Sequence, residues 1–174
     1  MANPILPRLK LSNLRDELNT SSLSFQSLTP YSVDKDRDTA VEVLPGLFVS
    51  GFGAVCNENL LASLKIDTII NLVKGLPNKF PLKFKYINYS LKDDGEIGND
   101  QNLINIITDI KENLDGNKRV LVHCRKGISR SPAAIIGFLI KHKGFPMEQA
   151  FEFVRAKKRD IDPNLGFLLQ LQRL

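Results

Sequence analysis

Apolar positions are thinly scattered over residues 1–40, which are rich in Ser, Thr, Asn, Asp and Pro. They include the run Asn19-Thr20-Ser21-Ser22 and the charged stretch Asp34 to Asp38. This texture predicts an N-terminal extension. Within it Leu9, Leu11, Leu14 and Leu18 fit one face of a short helix, and a flexible arm accommodates them equally well.

From residue 41 the pattern tightens. Val43, Leu44, Leu47, Phe48 and Val49 surround a Pro45-Gly46 turn and predict a strand entering a core. Leu60, Leu61 and Leu64 recur at helical spacing within Asn57 to Leu64, whereas the branched residues Thr68, Ile69 and Ile70 within Asp67 to Val73 favour a strand. A further strand is predicted over Lys85 to Leu91. A helix is predicted over Asn99 to Leu114, from the face Leu103, Ile106, Ile107, Ile110 and Leu114, and a brief strand over Arg119 to Val122. Three helices follow. One runs from Ser131 to Lys143 and is stopped by Gly144; the next runs from Met147 to about Lys157 with Ala150, Phe151 and Val154 inside. The last begins near Pro163, with Asp162 as its cap, and carries Leu165, Leu168, Leu169 and Leu171. Strands alternating with helices predict an α/β domain over residues 41–174, with a central, mostly parallel sheet flanked by helices.

Of 174 residues, 43% are apolar and 25% charged, the balance of one folded domain that needs no disulfide or metal to hold it. Cys56 and Cys124 are the two cysteines, and one spacing makes no disulfide framework, so a reducing, intracellular compartment is expected. No apolar run approaches the length that spans a bilayer, and Met1 to Lys10 lacks the apolar core and cleavage site of a secretory signal. The net charge of +5 favours anionic partners without choosing among nucleic acid, phospholipid headgroups and phosphorylated proteins.

The chemistry gathers in Val120 to Ser131, an apolar strand that runs through a loop into a helix. Gly127 permits backbone conformations closed to other residues, and the helix presents unpaired N–H groups at its positive end. The loop from Cys124 to Arg130 is therefore suited to receive a phosphate. The same N–H groups and the Arg130 guanidinium favour Cys124 as thiolate, its nucleophilic form. Arg130 has a planar fork that holds two phosphate oxygens at once. Ser131 offers the sulfur a hydrogen bond that eases its departure in a second step, and His123 is placed to fix the loop. Taken singly, Cys124 would be an inert buried thiol, Arg130 a surface cation and Ser131 a helix cap. Their order within one loop reverses those assignments.

His123-Cys124-x-x-Gly127-x-x-Arg130-Ser131 resembles the loop of the cysteine-dependent protein phosphatases. Leu44 to Gly51, Ile66 to Asn71, Met147 to Phe151 and Asp162 to Leu171 resemble, in the same order, segments of the dual-specificity branch, so the likeness spans residues 41–174 and suggests a small atypical member. It implies the cysteine-dependent phosphatase fold, with Cys124 as nucleophile and with Arg125, Lys126, Gly127, Ile128, Ser129 and Arg130 around the substrate phosphate. His123 and Ser131 are in support. The resemblance also implies a general acid on a loop that follows a strand well before the cysteine. Here that loop is Lys92 to Glu96, where Asp93 takes the position and Asp94 is its close competitor. Without the cysteine loop, the pair beside Gly95 would be only a turn.

The implied activity is hydrolysis of phosphotyrosine and of phosphoserine or phosphothreonine in proteins through a phosphocysteine intermediate, with no cofactor and no metal. Arg125 and Lys126 add cations at the mouth, where many loops of this branch carry a small residue in place of Lys126, and they favour acidic or multiply phosphorylated substrates. Two alternatives use the same residues: a phosphatase of phosphoinositides or other non-protein esters, and an inactive relative that binds phosphoproteins. The expected partner is a phosphorylated protein substrate, a MAP kinase among the candidates, with no nucleic acid, for a monomer of the cytoplasm, the nucleus or both. Arg8 to Leu11 is a basic and apolar patch of the kind that docks a partner. Cys56 is expected to be a buried spectator, and an oxidation partner of Cys124 only if the sulfurs lie close. His142, between two lysines near a helix end, is expected to be solvated or a favourable charge there, and carries no function.

Overall fold

The computed structural model describes residues 39–95 and 100–174. Of the N-terminal extension only Thr39 and Ala40 fall among them; the leucine face and the Arg8 to Leu11 patch lie outside, as does Glu96. Five strands, β1 (Ala40–Leu44), β2 (Leu47–Ser50), β3 (Thr68–Asn71), β4 (Lys85–Asn88) and β5 (Val120–His123), form one sheet in the order β1-β2-β5-β3-β4. All neighbours run parallel except β1, which is antiparallel to β2. The single strand predicted around Pro45-Gly46 is thus a hairpin. Gly46 adopts φ +80°, a left-handed turn that sends the chain back along itself.

The helices are α1 (Phe52–Val55), α2 (Glu58–Ser63), α3 (Asp100–Asp115), α4 (Arg130–Lys143), α5 (Met147–Lys157) and α6 (Leu165–Leu171). Only α1 lacks a counterpart in the sequence pattern, since four residues are too few to show a period. Asn57 caps α2 by accepting the Leu60 N–H at 3.0 Å, and Gly144, at φ +68°, ends α4 in the left-handed conformation. The cap of α6 differs from expectation. It is Asn164, whose Oδ1 accepts the Phe167 N–H at 3.0 Å, so the helix begins two residues beyond Pro163.

Sheet register sorts the core into two halves. Phe48, Leu121 and Ile69 lie side by side on one face and pack with Val55 of α1, Leu61 of α2 and Ile66. Val49, Val122 and Ile70 lie on the other face with Ile106, Ile107 and Ile110 of α3, Ile136 and Leu139 of α4, Val154 of α5 and Leu171 of α6. A strand covered on both faces reads as a continuous apolar run, which is why Val120 to Val122 shows no alternation. All three are 0% exposed. Full burial of such a side chain contributes about 1.5–3 kcal/mol, so the strand that leads to the cysteine is among the most firmly held. Among the described residues no helix is long and apolar enough to cross a membrane.

Candidate active site

β5 is the middle strand, and its carboxyl end delivers His123 and Cys124 to the edge where parallel sheets gather their ligands. Cys124 is buried, and its Sγ accepts the Gly127 N–H at 3.2 Å and faces Ser131 Oγ at 3.3 Å. The loop closes this tightly because Gly127 sits at φ +76° against the end of β2. A Cβ there would stand 2.6 Å from the Gly51 nitrogen and 2.7 Å from the Ser50 carbonyl carbon.

The loop carbonyls are held from outside. The Cys124 carbonyl lies 3.4 Å from His123 Nδ1, the Arg125 carbonyl accepts the Phe52 N–H at 3.1 Å, and the Ile128 carbonyl accepts the Asp162 N–H at 2.8 Å. In a planar trans peptide the N–H points opposite to the C=O, and no described peptide is cis. The N–H groups of Arg125, Lys126 and Ser129 therefore turn away from those outer partners. A cradle of this kind, continued by the N-terminus of α4, whose first turn holds no acidic residue, is suited to an anion. His123 is buried, and that burial pushes its imidazole down to about 4, the Cys124 carbonyl opposing the shift only in part. A neutral ring with its proton on Nδ1 fits the contact to that carbonyl.

The loop after β4 crosses above the cradle. The Tyr89 hydroxyl donates to Asp109 of α3 at 2.5 Å, the Leu91 N–H donates to the Leu72 carbonyl at 3.1 Å, and Arg130 donates to the Leu91 carbonyl at 3.3 Å. Asp93 is thereby brought to the phosphate loop. Its Oδ1 accepts Ser129 Oγ–H and Asn164 Nδ2–H, each at 2.7 Å, and its Oδ2 lies 3.3 Å from Arg130 Nε. That last pair is an attraction by distance alone, because the Nε–H is not aimed at the oxygen and has no hydrogen-bond partner.

The structure therefore gathers Cys124, Gly127, Ser129, Arg130, Ser131 and Asp93 at one place. Asp94 is exposed, as are Arg125 and Lys126 on the outer rim. Ser131 is not the cap of its helix; Ser129 holds that position and turns its hydroxyl to Asp93 instead of to the helix N–H groups. Cys56 is exposed at the end of α1, in place of the burial expected for it. His142 packs near the Phe138 ring at the end of α4, and burial, with Lys111 and Lys141 next, holds its imidazole below the usual range. Asn164 goes unread in the sequence; an Asn directly before the periodic run of α6 was its available signal. The Ser50 carbonyl, which accepts Ser131 Oγ–H at 3.3 Å, and the Leu91 carbonyl have no sequence signal, since any residue supplies a carbonyl.

Comparison with known proteins gives the family of the chain. Residues 47–174 match the family described as dual specificity phosphatase, catalytic domain. Human dual specificity protein phosphatase 4 is 32% identical over 136 residues, which cover 78% of this chain and 34% of that protein. MAP kinase phosphatase with leucine-rich repeats protein 3 of Dictyostelium discoideum is 32% identical over 171 residues, 94% of this chain and 19% of its own. The chain thus spans about a third or less of the length of these relatives. Among solved structures, human tyrosine phosphatase-like serine/threonine/tyrosine-interacting protein shares the fold with a TM-score of 0.72 at 28% identity, over 77% of this chain and 93% of that one. With the matched stretch running from β2 to Leu174 and enclosing the whole cysteine loop, this chain belongs to the dual-specificity phosphatase catalytic-domain family.

Proposed function

We propose that this chain hydrolyses phosphotyrosine and phosphoserine or phosphothreonine in proteins by two displacements at phosphorus. The observation that carries the proposal is the convergence of Gly127 N–H and Ser131 Oγ on Cys124 Sγ, with Arg130 and Asp93 at the same opening. In the first step the Cys124 thiolate attacks phosphorus in line with the ester oxygen. The S–P bond forms, the P–O bond to the side chain breaks, and protonated Asp93 gives its proton to the departing oxygen. The cradle N–H groups and the Arg130 guanidinium hold the equatorial oxygens, so most of the acceleration is positioning and electrostatics. In the second step the Asp93 carboxylate takes a proton from water, the water oxygen attacks phosphorus, and the S–P bond breaks. Thiolate and inorganic phosphate are released, with Ser131 donating to the returning thiolate.

The substrate class follows from the rim. Arg125 and Lys126 are exposed cations beside the cradle and favour phosphorylated segments rich in acidic or further phosphorylated residues. The similarity to a protein named as a MAP kinase phosphatase supports a kinase of that class as the phosphorylated substrate.

Turnover of phosphotyrosine, phosphothreonine and phosphoinositide substrates by the native chain, Cys124→Ser, Arg130→Lys, Asp93→Asn and Asp94→Asn tests this. The native chain is expected to prefer the peptides. Cys124→Ser and Arg130→Lys should nearly abolish hydrolysis, and Asp93→Asn should slow it by about a hundredfold or more on alkyl esters, with Asp94→Asn close to native. Turnover confined to phosphoinositides overturns the substrate, and activity that survives Cys124→Ser overturns the mechanism.

A further inference from the structure

Two residues at helix N-cap positions, from distant parts of the chain, meet on one oxygen. Ser129, at the N-cap of α4, and Asn164, at the N-cap of α6, both donate to Asp93 Oδ1 at 2.7 Å. Ser129 gives up the cap bond to its own helix to do so, although such a bond is usually worth keeping. The orientation of the Asn164 amide follows from its contacts, because Oδ1 receives the Phe167 N–H at 3.0 Å and leaves Nδ2 to face the carboxylate. The Asn164 N–H also donates to Ser129 Oγ at 3.3 Å, so the three residues form a closed set. Around it, Asp162 N–H holds the Ile128 carbonyl. The segment before α6 thus touches both the phosphate loop and the acid loop.

Taking Asp93 as the general acid proposed above, we infer that Asn164 is a positioning residue that holds the acid loop over the phosphate loop and so sets the reach of Asp93 to the leaving oxygen. Asn164 does not touch substrate. Its effect passes through Asp93, and it ties the start of α6 to a loop 71 residues away in sequence. The expected signature is a dependence on the leaving group. In the first displacement an ester whose alcohol needs a proton to depart relies on a well-placed acid and a nitrophenyl ester far less so, whereas the second displacement, with Asp93 as base, is common to both.

Asn164→Ser separates the two tasks of the side chain, since Ser is a good N-cap but too short to reach Asp93. The full chain carrying Asn164→Ser is expected to form the phosphocysteine about tenfold or more slowly from a phosphothreonine peptide, while the burst rate of nitrophenol from 4-nitrophenyl phosphate stays within about twofold of native. Asn164→Asp keeps the cap oxygen and sets a second carboxylate against Asp93, so it should lose more on the peptide than Asn164→Ser does. Hydrogen–deuterium exchange of residues 91–95 gives a readout independent of turnover and should be faster in both variants than in the native chain. Equal losses in this first step on both esters, or native exchange in the acid loop, overturn the inference. A native chain that hydrolyses neither ester sinks the proposed function instead, while the exchange data still decide the clamp.

Discussion

Ser131 Oγ stands 3.3 Å from Cys124 Sγ and 3.3 Å from the Ser50 carbonyl, with one proton to give to either. The carbonyl is a waiting partner for that proton while the sulfur is bonded to phosphorus, and the thiolate is the stronger acceptor once the bond breaks. The hydroxyl therefore acts most where sulfur leaves.

Ser131→Ala should accordingly leave formation of the phosphocysteine near native and slow its hydrolysis by roughly tenfold to a hundredfold, matching about 1.5–3 kcal/mol for a hydrogen bond to a charged group. Rapid mixing with 4-nitrophenyl phosphate should show a burst of nitrophenol ahead of a slow steady state. Slowing of both phases alike would remove the argument.

Gly127→Ala meets two obstacles at once. The backbone is at φ +76°, and the new methyl would press on the backbone of Ser50 and Gly51, which cannot rotate aside as a side chain can. The conformational part alone costs about 1–2 kcal/mol, and relief of the contact requires the loop to lift from β2. We expect a fall of several degrees in Tm and, in the protein that remains folded, a loss of tungstate affinity of at least tenfold by titration calorimetry. Native affinity in a destabilised protein would show that the cradle survives without that close approach.

Much of this site was legible because it is local. The strand Val120 to Val122, the loop glycine and the ordered Cys124, Arg130 and Ser131 are contiguous, and their chemistry follows from residue type and spacing. The helical faces of α3, α4 and α5 were legible for the same reason. The contacts of Asp93 were less so, because they depend on where Tyr89 and Leu91 are tied, by bonds to Asp109 and Leu72 that no periodicity records. Cap placement before α6 failed in a specific way: Asp162 and Pro163 are ordinary start signals, but the backbone is still extended at Asn164, whose side chain accepts the Phe167 N–H and begins the helix. The exposure of Cys56 follows from its place at the end of α1, the one helix too short to be anticipated.

His123 gives the stability a pH dependence of definite sign. The unfolded imidazole titrates near 6.5, and the buried one is pushed down to about 4. Between those values the unfolded chain holds a proton that the native chain does not, so stability rises with pH across this window. It is complete above about 6.5 and lost as pH falls toward 4, by about 3 kcal/mol from this residue. His142 is shifted the same way and adds to the slope. Urea unfolding should therefore give a lower midpoint at pH 5 than at pH 7, and His123→Asn should flatten most of the difference even though it is less stable at pH 7. An unchanged difference in the variant would place the sensitivity elsewhere.

Lys158 is 2% exposed, and its Nζ lies 2.5 Å from Asp160 Oδ1. The pair sits at the start of the segment whose Asp162 N–H holds the Ile128 carbonyl and whose Asn164 meets Asp93, so it steadies the far wall of the site. A buried ammonium is tolerated only with its counter-charge, and removing one partner of such a pair typically costs about 3–5 kcal/mol, whereas replacing both with well-packed neutral groups costs far less. Asp160→Asn alone should thus be strongly destabilising by chemical denaturation, Lys158→Met milder, and the double variant should regain a large part of the Asp160→Asn loss. Because the site depends on the same segment, Asp160→Asn should also loosen hydrogen exchange around Ile128 and Ser129 under native conditions. A cost below about 1 kcal/mol for Asp160→Asn is the range of an exposed pair and would mean that water reaches Lys158 in solution, so that this wall is not held by the charge pair.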